Sequence, residues 1–242
     1  MAGSSKDRND GDTVGGTGER IVRVPAGQAV LEGALTLPRT ANGMVLFAHG
    51  SGSSRHSPRN KFVAGVLQNS GLATLLLDLL TPEEESVDLR TRHLRFDIGL
   101  LAQRLVSATD WLARSRETSG LPLGYFGAST GGGAALVAAA ERPDAVRAVV
   151  SRGGRPDLAG AALPRVRAPT LLIVGGEDTP VIEMNEDAMA QMRTEVRLEI
   201  VPGATHLFEE PGTLERAADL ARDWFARHLT QAAGAAPRSA VS

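Results

Sequence analysis

Along the chain, short runs of apolar residues alternate with longer stretches in which apolar positions recur every three or four residues. The runs at 44–48, 72–77, 123–126, 146–150, 171–174 and 196–201 mostly lack polar alternation, as strands buried on both faces should. Two earlier stretches, 21–24 and 29–37, roughly alternate apolar and polar side chains and are predicted to form an antiparallel edge pair. Leu94, Ile98, Leu101, Leu105, Ala108 and Leu112 fall at helical spacing and predict a helix with one stripe against the sheet. Leu214, Ala217, Ala221, Trp224 and Phe225 mark a closing helix in the same way, and residues 60–68 and 132–140 predict shorter ones. Residues 151–168 show no period of their own and read as a loop, too short for a helical lid. Glu83-Glu84-Glu85 and the arginines of 90–95 read as a solvated loop and the entry to the long helix. The alternation predicts an α/β domain over residues 20–230, a mostly parallel sheet with helices on both faces. Residues 1–19 and 231–242, poor in large apolar side chains, are expected to be disordered tails.

Composition narrows the function. With 242 residues, 42% hydrophobic and 22% charged, the chain can bury one sizeable core. Lys+Arg of 26 against Asp+Glu of 28 leaves a net charge of -2, so no basic field draws it onto nucleic acid or acidic lipid, and neither partner is expected. The absence of cysteine removes disulfides, thiolate metal sites and a cysteine nucleophile together. No stretch approaches the roughly 18 apolar residues of a membrane span, and the first 20 residues lack the apolar core of a signal, so a cytoplasmic protein is expected. Neither a metal-ligand spacing nor a Gly-x-Gly-x-x-Gly after a strand occurs, and no metal or cofactor is expected.

Gly127-Ala128-Ser129-Thr130-Gly131 lies directly between the apolar run 123–126 and the small-residue segment 132–140. A Gly-x-Ser-x-Gly between strand and helix is a nucleophile elbow: the serine stands on a strained turn, and the glycines remove side chains that would collide there. The pattern is weak alone and gains force from its partners. Such a serine needs a histidine base and an orienting acid, which follow it in the order Ser, Asp/Glu, His. Downstream, His228 falls inside the closing helix, whereas His206 falls in a loop after the last strand. Gly175-Gly176-Glu177-Asp178 follows another strand, and Asp178 is preferred to Glu177 as the acid. All three residues would emerge on the carboxyl edge of the sheet. For the oxyanion, Thr130 N–H is one candidate donor. Ser51 N–H, with Gly52 next, is the candidate from the loop after 44–48. His49 reads as a residue that fixes this loop by hydrogen bonds.

Beyond the elbow, two segments are more specific: His49-Gly50-Ser51-Gly52-Ser53-Ser54-Arg55-His56-Ser57-Pro58-Arg59-Asn60 and Ser151-Arg152-Gly153-Gly154-Arg155-Pro156. In their combination with Gly127-Ala128-Ser129-Thr130-Gly131, residues 20–229 resemble a serine-nucleophile α/β-hydrolase of the dienelactone hydrolase-like family. The resemblance is to a bacterial branch that is sometimes fused to a phosphoribosyltransferase. It implies an α/β-hydrolase fold with about eight strands and a minimal lid, esterase-type hydrolysis without a cofactor, and the triad Ser129, Asp178 and His206. Dienelactone hydrolases proper carry cysteine where this chain has Ser129.

The expected activity is hydrolysis of a small carboxylic ester, lactone or thioester through an acyl-enzyme, with a small-molecule acyl substrate as the partner. The alternatives are the same triad used for perhydrolysis or acyl transfer, and a non-catalytic ligand-binding member of the fold. Arg55, Arg59, Arg152 and Arg155 all begin near the carboxyl edge, and Arg55 and Arg152 are the best candidates to hold an anionic substrate group. The competing expectation is internal pairing with Asp78 or Asp157.

Overall fold

The structure is a computed structural model and describes residues 18–229. The expected tails, 1–19 and 231–242, therefore lie outside the described residues except for Gly18 and Glu19. Eight strands form one sheet: β1 (Arg20–Ala26), β2 (Ala29–Thr36), β3 (Gly43–Ala48), β4 (Leu72–Leu77), β5 (Leu123–Ala128), β6 (Val146–Arg152), β7 (Thr170–Gly175) and β8 (Val196–Val201). Their order is β1-β2-β4-β3-β5-β6-β7-β8. β1 and β2 pair antiparallel, β2 joins β4 antiparallel, and every other pairing is parallel. The fold is the α/β-hydrolase fold expected from the sequence, with the edge pair where alternation placed it.

The six helices are α1 (Pro58–Asn69), α2 (Pro82–Thr91), α3 (Ile98–Arg114), α4 (Thr130–Glu141), α5 (Thr179–Gln191) and α6 (Thr213–Leu229). Alternate strand residues serve opposite faces. Met44, Leu46 and Ala48 pack with Leu101 and Leu105 of α3 and Ala134 and Ala138 of α4. Val45, Phe47 and Phe126 pack with Val63 and Leu67 of α1 and Trp224 and Phe225 of α6. Because β4 and β5 lie on opposite sides of β3, the winding reverses there and opens a crevice outside the carboxyl ends of β3 and β5. The elbow sits at that crevice.

Three segments depart from expectation. The long helix begins at Ile98 rather than Leu94, because Asp97 caps it through Leu100 N–H at 2.9 Å and residues Leu94–Phe96 form a separate 3-10 turn. That turn is pinned by the buried Asp88 carboxylate, which accepts from Leu94 N–H at 2.7 Å and Arg95 N–H at 3.2 Å and pairs with the Arg95 side chain. The expected loop around Glu83-Glu84-Glu85 is helix α2, entered through a capping box in which Glu84 N–H donates to Thr81 Oγ1 and Thr81 N–H to the Glu84 carboxylate. Residues Pro156–Arg165 are 3-10 in form, kinked at Gly160, rather than an unstructured loop. No helix among the described residues is long and apolar enough to cross a membrane.

Candidate active site

Ser129 occupies the turn between β5 and α4 with φ 51° and ψ −123°, a conformation a non-glycine residue holds only when its surroundings impose it. They do so from both sides. Ser129 N–H donates to the Arg152 carbonyl at 3.3 Å, and the Ser129 carbonyl accepts from Gly132 N–H at 2.9 Å and Arg155 N–H at 3.0 Å. The flanking glycines answer to close backbone approach: a Cβ on Gly127 would lie 2.6 Å from the Gly131 carbonyl oxygen, and one on Gly131 would overlap the carbonyl oxygens of Ala48 and His49.

The loops after β7 and β8 run back to back. Gly176 N–H donates to the Val201 carbonyl at 2.8 Å and Glu177 N–H to that of Ala204 at 2.9 Å, which carries Asp178 towards His206. Asp178 Oδ2 lies 2.6 Å from His206 Nδ1. The Asp178 side chain makes no capping bond to α5, so its carboxylate is directed to the imidazole. Thr205 donates from its N–H at 3.0 Å and its hydroxyl at 2.7 Å to the Glu210 carboxylate, closing the turn that presents His206. Gly153, at φ +50°, backs the imidazole, where a Cβ would stand 3.6 Å from Nδ1 and Cε1.

Ser129 and His206 share a cavity of about 220 Å³ with Ser51, Arg59, Asn60 and Arg152. Thr130 is the first residue of α4, so its N–H belongs to the unsatisfied first turn of that helix and lies beside Ser129. Ser51 reaches the cavity from the loop after β3. His49 holds that loop: Leu79 N–H donates to Nε2 at 3.0 Å, which places the ring proton on Nδ1, 2.9 Å from the Gly50 carbonyl oxygen. Burial pushes the His49 pKa down, against the opposing pull of the Gly50 bond and Asp78. The native state therefore binds fewer protons here than the unfolded chain below about pH 6.5, so His49 removes stability as pH falls through that value. The urea midpoint should drop between pH 7.5 and pH 5 by more in the parent than in His49→Gln, and an equal drop in both would place His49 outside the acid sensitivity.

The model for the family described as "Dienelactone hydrolase family" matches residues 67–230. The chain belongs to that family. A dienelactone hydrolase from Anabaena variabilis ATCC 29413 is 68% identical, with a TM-score of 0.86 over 88% of this chain and 98% of that one. A protein of Mycobacterium tuberculosis H37Rv, provisionally named a phosphoribosyl transferase, is 62% identical over 208 residues. Those residues are 86% of this chain and 46% of the relative, so the chain spans about half the length of the curated relatives it matches. Est1E from Butyrivibrio proteoclasticus, 15% identical, shares the fold with a TM-score of 0.72 over 86% of this chain and 98% of its own.

Within this dienelactone hydrolase-family site, the two arginines expected to hold substrate part company. Arg55 donates from its backbone N–H to Asp78 at 2.6 Å, pairs with the same carboxylate through its guanidinium, and reaches Glu32 at 2.7 Å. It does not line the cavity that holds Ser129, and its expected substrate role gives way to anchoring the oxyanion-side loop on β2 and β4. Arg155 pairs with Asp157 at 2.7 Å. Arg152 does line the cavity. Arg59, one of the four arginines placed near the carboxyl edge, and Asn60, which the sequence did not single out, line it as well from the first turn of α1; Ser57-Pro58, an N-cap followed by proline, marks the helix start that brings them there. Among the described residues, no group of three or more His, Asp or Glu side chains is placed to hold a metal ion.

Proposed function

We propose that the protein is a serine hydrolase that cleaves a small carboxylic ester, lactone or thioester through an acyl-enzyme. The observation that carries this reading is the 2.6 Å contact between His206 Nδ1 and Asp178, made beside a serine held on a positive-φ elbow in the same cavity. Asp178 accepts from Nδ1–H, which leaves Nε2 free to take the Ser129 proton as Oγ attacks the acyl carbon. The tetrahedral oxyanion then accepts from Thr130 N–H and Ser51 N–H. His206 returns the proton to the leaving group, and water attacks the acyl-enzyme with His206 again as base. The Anabaena protein, named a dienelactone hydrolase, supports hydrolase activity; a metagenomic dienelactone hydrolase-like protein described as a promiscuous phosphotriesterase, 18% identical, shares the fold alone.

A fluorophosphonate tests the reading without a guess at the substrate. One adduct per chain is expected on Ser129, located by peptide mass, absent in Ser129→Ala and strongly slowed in His206→Ala. A folded protein that takes up no adduct, or takes it elsewhere, would overturn the reading.

A further inference from the structure

Arg152, the last residue of β6, is 6% exposed. Its Nε and Nη1 are buried and have no hydrogen-bond partner, and among the described residues no carboxylate pairs with it. The contact it does make is with the ring of buried Phe208, 5.6 Å from the guanidinium carbon. The other arginines that turn inward behave differently: Arg55 pairs with Asp78, Arg95 with Asp88 and Arg104 with Glu84. An unpaired charge in a protein interior is costly, and a partner anion relieves that cost. Here the cost is compounded, because burial together with the neighbouring positive Arg59 pulls the Arg152 guanidinium below its ordinary value, to about 10.

The rest of the cavity wall is built for the same partner. Among the described residues no Asp or Glu lines it; Asp178 stands behind His206. Arg59 lines it from the first turn of α1, and its one carboxylate, Glu209 at 3.1 Å, is an exposed rim residue. The twelve-residue helix α1 carries no acid in its first turn, and its cap Ser57 spends its hydroxyl on Asn60 N–H at 3.3 Å. Two guanidiniums thus converge on space that also holds Ser129.

We infer that Arg152, with Arg59, forms an anion-binding subsite beside Ser129, and that the substrate cleaved there carries a carboxylate or a phosphate-type group. This rests on the serine hydrolase reading above. A planar guanidinium offers paired donors to either anion, so the chemistry of recognition is shared.

Three esters matched in chain length test it: ethyl hexanoate, monoethyl adipate and ethyl 5-phosphonopentanoate. The readout is the kcat/KM of each acidic ester divided by that of the neutral one, so a variant that folds less well lowers both and leaves the ratio. The parent should prefer one acidic ester about 10- to 100-fold, the scale of a charge-assisted hydrogen bond. Whichever it is identifies carboxylate or phosphonate as the recognised group. Arg152→Met should bring the ratio close to one, and Arg152→Lys should restore part of it. A parent ratio near one, or a preference that survives in Arg152→Met, overturns the inference. If no ester is cleaved and no fluorophosphonate adduct forms, the hydrolase reading fails separately. Titration with inorganic phosphate and with acetate then decides the subsite: binding lost in Arg152→Met supports it, and no binding to the parent overturns it.

Discussion

Ser129→Ala and His206→Ala should each hydrolyse ester about 10⁶-fold more slowly than the parent, and the double variant should be no slower than either. In the proposed mechanism the two side chains act as one unit, so removing either should remove the whole effect. A serine without its base is an ordinary alcohol, and the base without the serine has no proton to take. What remains in all three variants is the oxyanion donors and substrate binding, which need neither side chain. Asp178→Asn belongs to the same set with a smaller loss, about 10⁴-fold in kcat. An amide at that position can donate its NH₂ to Nδ1, which moves the imidazole proton to Nε2 and turns the base into a donor facing Ser129. Because the Asp178 side chain caps nothing, the loss should appear in kcat with the thermal midpoint nearly unchanged. Steady-state kinetics on one ester, with a thermal scan of each variant, checks all four proteins. A His206→Ala variant that kept a tenth of the parental rate would remove His206 from proton transfer.

How much of this was legible in the sequence depended on whether a segment's structure is written in its own apolar pattern. β3, β4, β5, β6 and β7 are buried along nearly their whole length and appear as predominantly apolar runs without regular polar alternation. Helix α6 shows a full stripe because one face packs on the sheet while the other meets water. Helix α2 escaped this test because Asp88 is its one buried residue; its evidence lay in the capping sequence Thr81-Pro82-Glu83-Glu84 rather than in periodicity. Helix α5 buries only Val181, Asn185 and Ala188, too few to set a period. The order of Ser129, Asp178 and His206 along the chain was readable because each follows a strand that delivers it to one edge of the sheet. The fates of Arg55 and Arg152 were not readable, since both begin at that edge. The difference lies in a partner: Asp78 at the end of β4 stands within reach of Arg55, and no described carboxylate stands within reach of Arg152. Pairing of that kind is decided by tertiary distances that spacing along the chain does not carry.

The second large effect falls on stability. Gly131→Ala should destabilise the fold by about 3–5 kcal/mol, at the upper end of what overpacking costs. Helix propensity alone predicts the opposite, since alanine in a helix is favoured over glycine by about 1 kcal/mol. The close approach of α4 to β3 overrides that preference. A Cβ at Gly131 would run into the carbonyl oxygens of Ala48 and His49, which are backbone atoms at the end of a strand hydrogen-bonded on both sides by β4 and β5. The Ala48 carbonyl cannot retreat without breaking ladder bonds, so α4 must shift instead. That shift would move Thr130 N–H away from the oxyanion position and cost activity in whatever protein still folds. Gly65, half-buried in α1, supplies the contrast: a Cβ there meets nothing within 4 Å. Gly65→Ala should therefore stabilise by about 0.5–1 kcal/mol, the gain expected when only propensity changes. Urea unfolding of the two variants beside the parent should give midpoints on opposite sides of it. If Gly131→Ala unfolded at the parental midpoint, α4 would not approach β3 as closely as the elbow requires, and the strain that positions Ser129 would have to come from another contact.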